Sequence, residues 1–207
     1  MVRNAQGQAS QARSRLLGTA SRLFYGEGLH SVGVDRIVAE AGTTRATLYR
    51  HFPSKDDLIV SYLEEADQAV RDRLDHTRAG GRSAADTLRA IAADIAADIR
   101  TPGFRGCAFL NAAAEYSDPA HPVHRRVVAH RQWFLSAVTD LFARISDARA
   151  DSAGRHFVML RDGAMAAGCL TDPAPVCRTL LDGVDGLVRF HSDPHAGRTP
   201  RVEAEVG

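Results

Sequence analysis

The spacing of apolar residues constrains the fold of this chain more than any other feature. Apolar side chains recur at steps of three and four residues, as in the stripe formed by Leu16, Leu17, Ala20, Leu23 and Phe24. This spacing places them on one face of an α-helix, and no segment shows the period-2 alternation of a half-buried strand. We therefore predict an all-α fold with about nine helices.

Glycine and proline divide the first 53 residues into three short helices. Gly28 follows the first helix, Gly42 separates the second from the third, and Pro53 ends the third. Ser54 then provides a suitable N-cap for a long fourth helix. Two short helices joined by a tight glycine turn are typical of a helix-turn-helix, although the spacing alone fits a plain surface hairpin equally well.

Charge is distributed unevenly along the chain. Residues 1–55 contain eight Arg or Lys and three Asp or Glu, a net charge of +5, whereas residues 56–207 carry −4. A basic head on a slightly acidic body favours a polyanionic partner, although such a segment also arises by chance. We expect a disordered tail over 1–9, a head over 10–55, a body over 56–191 and a second disordered tail over 192–207.

Composition excludes several classes of protein. No apolar run approaches the roughly 20 residues of a membrane span, and the polar N-terminus lacks the apolar core of a signal peptide. Three cysteines without CxxC spacing argue against a disulfide framework and fit a reducing cytoplasm. The sequence contains no phosphate-binding glycine loop and no hydrolase motif, so we expect neither a cofactor nor an enzyme.

Three histidines invite a metal interpretation. His121 and His124 are three residues apart, and His130 lies further along the same predicted helix. No acidic or cysteine partner accompanies them at helical spacing, so we expect histidines near a helix start and no metal site.

The run from Ile37 to Leu58, IVAEAGTTRATLYRHFPSKDDL, closely resembles the signature of TetR/AcrR-type transcriptional regulators, approximately I-A-x-x-A-G-V-S-x-G-T-L-Y-x-H-F-x-S-K-E-x-L. The segment Phe24–Gly28 is similar to the family's F-x-x-x-G. The resemblance covers about residues 10–63, and many positions match without a gap. It implies a three-helix head with a helix-turn-helix, followed by a helical ligand-binding and dimerisation domain.

The resemblance also implies which residues contact DNA. The start of the recognition helix faces base edges or phosphates, and a lysine at the start of the fourth helix pairs with a phosphate. The residues so implied are Thr43, Thr44, Arg45, Thr47, Tyr49, Arg50, His51 and Lys55. Three positions depart from the family pattern, with Gly33 in place of a hydroxyl residue, Ala46 in place of glycine and Thr43 in place of valine.

Members of the family use the body for dimerisation and for an inducer pocket. The last two helices suit a dimer interface at Ala164, Ala167, Gly168, Thr171, Leu180, Val184 and Leu187, although these faces would equally fill a monomer core. A cluster of aromatic and polar residues suits an apolar pocket for a small organic effector, although ordinary core packing also explains it. The pocket candidates are Phe104, Phe109, Asn111, Glu115, Trp133, Phe134, Phe157 and Met165.

The sequence therefore predicts a homodimeric, ligand-responsive regulator, a repressor, that binds a palindromic double-stranded DNA operator. One alternative is a helical small-molecule-binding protein or enzyme whose N-terminal helices are only structural. A second is an architectural DNA binder without sequence preference.

Overall fold

The structure, a computed structural model, describes residues 2–193 of the chain, with side chains from residue 10. This part of the chain is helical and contains no strand, as predicted. A single 3₁₀ turn, Asp147–Arg149, precedes the eighth helix. The α-helices are α1 (Val2–Glu27), α2 (Val34–Glu40), α3 (Arg45–His51), α4 (Lys55–Ala79), α5 (Ala84–Ile99), α6 (Ala108–Glu115), α7 (Pro122–Ala143), α8 (Ala150–Ala167) and α9 (Pro173–Ser192).

The expected N-terminal tail differs from the structure. Helix α1 begins at Val2, so residues 2–9 are helical where we expected disorder. The reason is local, because this segment contains no proline and its alanine, arginine and glutamine residues favour a helix. At the other end Ser192 closes α9, and most of the second expected tail, residues 194–207, lies outside the described residues.

The first three helices pack around a small apolar core. Leu16, Leu23, Ile37, Leu48 and Phe52 are almost completely buried. The turn between α2 and α3 requires glycine, because Gly42 has a φ of +59° and side-chain-bearing residues disfavour that region. The head is thus a compact trihelical unit that presents α3 on its surface.

Helix α4 joins the head to the body. Ser54 caps it, with the Ser54 Oγ accepting a hydrogen bond from the backbone N–H of Asp57 at 3.0 Å. The first turns of α4 pack against α1, where Tyr62 and Phe24 have ring centroids 5.9 Å apart. Its later turns pack against α5 and α7, so one helix belongs to both units.

The body is a bundle in which α5, α7, α8 and α9 pack side by side and the short α6 lies against α4 and α7. Phe142 and Phe157 are fully buried at its centre. Close helix approach depends on glycine, since a Cβ at Gly154 would lie 2.1 Å from the Thr139 Oγ1. Over the described residues, every helix is too short or too polar to cross a lipid bilayer.

Candidate nucleic-acid interface, cavities and apolar face

The exposed face of α3 is polar from its first residue. Thr44 caps the helix, because its Oγ1 accepts a hydrogen bond from the backbone N–H of Thr47 at 3.2 Å. Leu48 anchors the opposite face and is fully buried, whereas Arg50 is exposed and Tyr49 is 47% exposed. The sequence-predicted residues Thr44, Arg45, Thr47, Tyr49 and Arg50 therefore share one accessible helix surface.

Arg45 does not stand free on that surface. Its Nε and Nη2 both donate to the carboxylate of Asp35 on α2, in an ion pair that is exposed to solvent on both sides. The hydrogen bonds from Arg45 lower the pKa of Asp35. Exposed pairs of this kind contribute little to stability, so a phosphate or a base can take the place of Asp35 at low cost.

Lys55 lies at the N-terminus of α4, beside the loop that joins α1 to α2. Its Nζ is 3.4 Å from the backbone carbonyl of His30, to which it donates a long hydrogen bond. Partial burial lowers the pKa of Lys55. A cation at a helix N-terminus is repelled by the helix dipole and gains from an anion placed nearby.

Two of the predicted DNA-binding residues, Thr43 and His51, are less accessible than Arg45 and Arg50. His51 is half-buried; its Nε2 is buried without a hydrogen-bond partner, and its ring centroid lies 6.5 Å from that of Phe52. Thr43 is half-buried, and its backbone N–H donates to the carbonyl of Val38 at 3.0 Å. The contact of these two side chains with DNA stays a prediction.

Glu115, at the end of α6, holds the head against the body. Its carboxylate accepts hydrogen bonds from the backbone N–H groups of Leu29, at 2.8 Å, and His30, at 2.6 Å. The His30 Nε2 in turn donates to the Glu115 carbonyl at 2.9 Å. We expected Glu115 in a ligand pocket; its carboxylate is bound by the backbone of the loop after α1, and the residue borders the cleft described below.

A second set of contacts reinforces this connection. The Tyr25 hydroxyl donates to the Gly106 carbonyl at 3.0 Å and accepts from the Arg105 N–H at 2.9 Å. Near the start of α4, the Tyr116 hydroxyl donates to Asp56 at 3.3 Å. Sequence reasoning missed Tyr25 as a contact between head and body and Tyr116 as a contact to the first turn of α4, because their partners are more than 50 residues away in the chain.

Two neighbouring chambers lie between α4, α5, α6 and α8. The larger is about 280 Å³ and is lined by side chains that include Phe104, Phe109 and Met165; the smaller is about 70 Å³ and includes Phe134. Val70, Arg73, Asp98, Arg161 and Met165 line both chambers.

The remaining pocket candidates lie elsewhere. Asn111 and Glu115 line a separate cleft of about 550 Å³ between the end of α1 and α6, which Phe104 also borders. Phe157 is fully buried against Phe142, and its role is core packing. Trp133 lines none of these spaces and lies under the Arg71 guanidinium, whose Cζ is 4.0 Å from a ring centroid.

A buried charge cluster supports the wall formed by α6. The Nδ1 of His130 donates to Asp67 at 2.5 Å, and Arg71 and Arg126 donate to the same carboxylate at 2.7 and 2.6 Å. The imidazole stacks on Phe109 with 3.5 Å between ring centroids. Burial lowers the pKa of His130 to about 4, despite the opposing effect of Asp67. Burial tends to raise the pKa of Asp67, but its hydrogen bonds lower it to about 2.

The three histidines considered for a metal have separate partners. His121 accepts from the N–H of Val123 at the start of α7, and the His124 Nδ1 donates to the Tyr116 carbonyl at 2.8 Å. His130 belongs to the Asp67 cluster. Among residues 2–193, no group of three or more His, Cys, Asp or Glu is arranged to hold a metal ion.

Helices α8 and α9 form an open apolar groove of about 800 Å³, which we call the α8–α9 face. Met159 is 69% exposed there, and nothing lies within 4 Å of a Cβ built on Gly163. Of the predicted dimer residues, Ala164, Ala167, Thr171, Leu180 and Leu187 line this face.

The other two predicted dimer residues, Val184 and Gly168, contact the chain's own helices. Val184 is fully buried within the chain. A Cβ on Gly168 would lie 2.6 Å from the Ile99 Cγ2, so this glycine permits contact between α8 and α5. Small residues at helical spacing therefore serve two different faces of α8, which the sequence pattern does not separate.

Comparison with known families gives a consistent result. Residues 16–62 match the model of "Bacterial regulatory proteins, tetR family". The chain is similar to the HTH-type transcriptional regulator LmrA of Bacillus subtilis, with 25% identity over 59% of this chain and 66% of LmrA. It is 33% identical to AcrR of Shigella flexneri over 34% of this chain and 33% of AcrR. The chain thus spans less than two thirds of either regulator.

A solved structure matches over nearly its whole length. The crystal structure of SCO4454, described as a TetR-family transcriptional regulator from Streptomyces coelicolor, has 61% identity and a TM-score of 0.87. The match covers 89% of this chain and 97% of SCO4454. A putative tetr-transcriptional regulator from Streptomyces avermitilis is 27% identical, with a TM-score of 0.71 over 84% of this chain and 98% of that one.

Proposed function

Because the chain belongs to the TetR family of DNA-binding transcriptional regulators, we propose that it is a homodimeric repressor that leaves its operator when a small organic effector binds in the body. The observation that carries this proposal is the accessible polar face of α3, capped by Thr44 and presented by an N-terminal segment, residues 1–55, of net charge +5. A bacterial regulator that binds its operator in this way would act in the cytoplasm, where the chromosome lies.

In this proposal the N-terminal part of α3 enters the major groove. Arg45 exchanges Asp35 for the O6 and N7 of a guanine, a contact that distinguishes base pairs. Thr44, Thr47, Tyr49 and Arg50 contact neighbouring bases or phosphates, and Lys55 contacts a phosphate beside the α4 N-terminus. Phosphate contacts set the affinity and register of the head, whereas the base contacts set its sequence preference.

The α8–α9 face supports a dimer formed with a second copy of this chain. A large exposed apolar groove, here about 800 Å³, is typical of a surface that binds another protein. A two-fold axis through the face would pair α8 and α9 of one protomer with those of the other, and it would match a palindromic operator. The head (10–55) and the body (56–191) would then act as separate units joined through α4.

Helix α6 provides a physical route from effector to DNA. Phe109, near its start, lines the larger chamber, and Glu115, at its end, holds the loop after α1. A ligand that displaces Phe109 would move Glu115 with it and change the orientation of the head. Such a ligand shifts the equilibrium only by its preference for the displaced state.

The experiment that tests this function is selection of genomic DNA fragments by the purified protein, followed by gel-shift titration of the selected sites. We expect a palindromic consensus that binds about a thousandfold tighter than scrambled DNA. Equal affinity for selected and scrambled fragments would support the architectural binder. No binding to any fragment would support the structural alternative.

A further inference from the structure

Arg161 is the most unusual charged residue of the chamber walls. It is 6% exposed and lines both chambers, and its Cζ lies 4.9 Å from the ring centroid of Phe134. A guanidinium stays charged at any physiological pH and has five N–H donors. A buried charge of this kind is costly unless an opposite charge and enough acceptors surround it.

The acceptors around Arg161 are insufficient. Its Nη1 donates to Asp162 at 2.8 Å, but the same carboxylate accepts from the Arg131 Nη2 at 2.6 Å. The second terminal nitrogen, Nη2, reaches only the Cys107 thiol, at 3.4 Å, and sulfur is a weak acceptor. In addition, the Arg131 Nη1 is buried without a partner. Two guanidinium groups thus share one carboxylate, which leaves Arg161 without a carboxylate of its own.

The remaining charges near the chambers do not correct this imbalance. Arg73 pairs with Asp98 at 2.6 and 2.7 Å across α4 and α5, so that pair is neutral. Asp94 is half-exposed, lines only the smaller chamber and accepts from the Thr77 hydroxyl. The larger chamber is therefore lined by two arginines, Arg73 and Arg161, against one carboxylate, Asp98. The rest of its lining is largely apolar and includes Val70, Phe104 and Phe109.

We propose that the effector is a small organic carboxylate, with its carboxylate bound by Arg161 and its apolar body in the larger chamber. This inference rests on the proposed effector-responsive function and specifies the ligand for it. Arginine binds carboxylates through two parallel N–H···O bonds, which the shared Asp162 does not provide. The chamber of about 280 Å³ suits a single ring with a short chain.

Three probes of equal shape and different charge test this inference: 3-phenylpropanoate, 3-phenylpropanamide and 3-phenylpropylammonium. Their dissociation constants for the full-length protein are measured by isothermal titration calorimetry at pH 7. We expect the carboxylate to bind about tenfold tighter than the amide, because one hydrogen-bonded charge pair changes the dissociation constant by about this factor. Equal affinities, a tighter ammonium, or no binding of any probe would overturn the proposal.

Amino-acid variants test whether Arg161 causes the preference for the carboxylate probe. Arg161→Met keeps the length of the side chain and should abolish the preference for the carboxylate, whereas Arg89→Met, on the outer pair with Asp185, should leave it unchanged. Asp162→Asn removes the competing carboxylate and should increase the preference severalfold. A misfolded variant does not gain affinity, so an increase in Asp162→Asn cannot result from misfolding. A loss of preference in an Asp162→Asn protein that keeps the wild-type circular dichroism spectrum would contradict the proposal.

DNA binding by the same protein separates this inference from the function on which it rests. If genomic fragments are shifted but no probe binds, the carboxylate site is wrong and the regulator stands. If the carboxylate binds through Arg161 without releasing DNA, the site is correct and the effector-release proposal is wrong.

Discussion

The carboxylate of Glu115, at the end of α6, accepts a hydrogen bond from the backbone N–H of His30 at 2.6 Å. The second carboxylate oxygen accepts from Leu29, so a single side chain of the body satisfies two consecutive donors of the head. A carboxylate accepts two such bonds with its two oxygens, but an amide presents only one oxygen and an N–H₂ group that would face a donor. This arrangement fixes the position of the head while α6 is in place.

Glu115→Gln should therefore loosen the head without removing any packing. We expect a loss of about 1–2 kcal/mol in the free energy of unfolding and weaker operator binding in the absence of effector. Urea denaturation and DNA titration measure the two effects. Glu64→Gln, an exposed change on α4, is the matched control and should alter neither. Unchanged stability in Glu115→Gln would show that the contact does not hold the head.

The buried His130 predicts how stability depends on pH. Its pKa is lowered to about 4 in the folded state, against an ordinary value of 6.5, so the unfolded chain binds more protons between these values. Stability is therefore full above pH 6.5 and falls as the pH decreases to about 4, by at most about 1.4 kcal/mol per pH unit from this group.

Chemical denaturation between pH 7 and 5 checks this dependence. His130→Gln should flatten the curve over this range, and His124→Gln, a partly exposed position on α7, should leave the slope unchanged. Part of the slope should remain in His130→Gln because burial also lowers the pKa of His191. A wild-type stability that does not change from pH 7 to 5 would contradict the neutral, buried state of His130.

A charge on the α8–α9 face should dissociate the dimer. At Gly163 there is open space around a Cβ, so Gly163→Glu adds a carboxylate to the face without disturbing the fold of the monomer. Gly18→Glu is the matched control, because Gly18 is also a helical glycine with nothing within 4 Å of a Cβ. Sedimentation should give a monomer for Gly163→Glu and a dimer for Gly18→Glu. A dimeric Gly163→Glu protein would place the interface elsewhere.

Lys55→Ala should weaken binding to every DNA sequence alike, because a phosphate contact carries no base information. The slope of log affinity against log salt concentration should decrease in magnitude by about 1. Arg144→Ala, at the far end of α7, changes the net charge equally and should leave the slope almost unchanged. A normal slope in Lys55→Ala would remove this lysine from the interface.

Helix positions were predictable from the sequence because apolar spacing and capping residues act locally. Ser54, Gly42 and Pro53 each decide a boundary within a few residues of themselves. The surface of α3 was predictable for the same reason. The N-terminal extension of α1 was missed, because polar composition suggested a tail although the segment contains no proline.

Contacts between distant elements were not predictable in the same way. Glu115 and Asn111 were placed in a pocket with Phe109, since all three are on one short helix, yet they lie on a different side of it. Gly168 resembles an interface residue, but its role depends on Ile99, almost 70 residues earlier in the chain. Helical spacing gives the angle between residues on one helix and leaves open which neighbour each face meets.

The central claim, that α3 reads a DNA sequence, is tested most directly by the affinity of Arg45→Ala for a selected operator and for a scrambled duplex of equal length. We expect a loss of about 1–3 kcal/mol on the operator and a much smaller loss on the scrambled duplex. Asp35→Asn, which frees Arg45 from its partner, should strengthen binding in the wild-type background and have no effect beside Arg45→Ala. Equal losses of Arg45→Ala on both duplexes would contradict the claim.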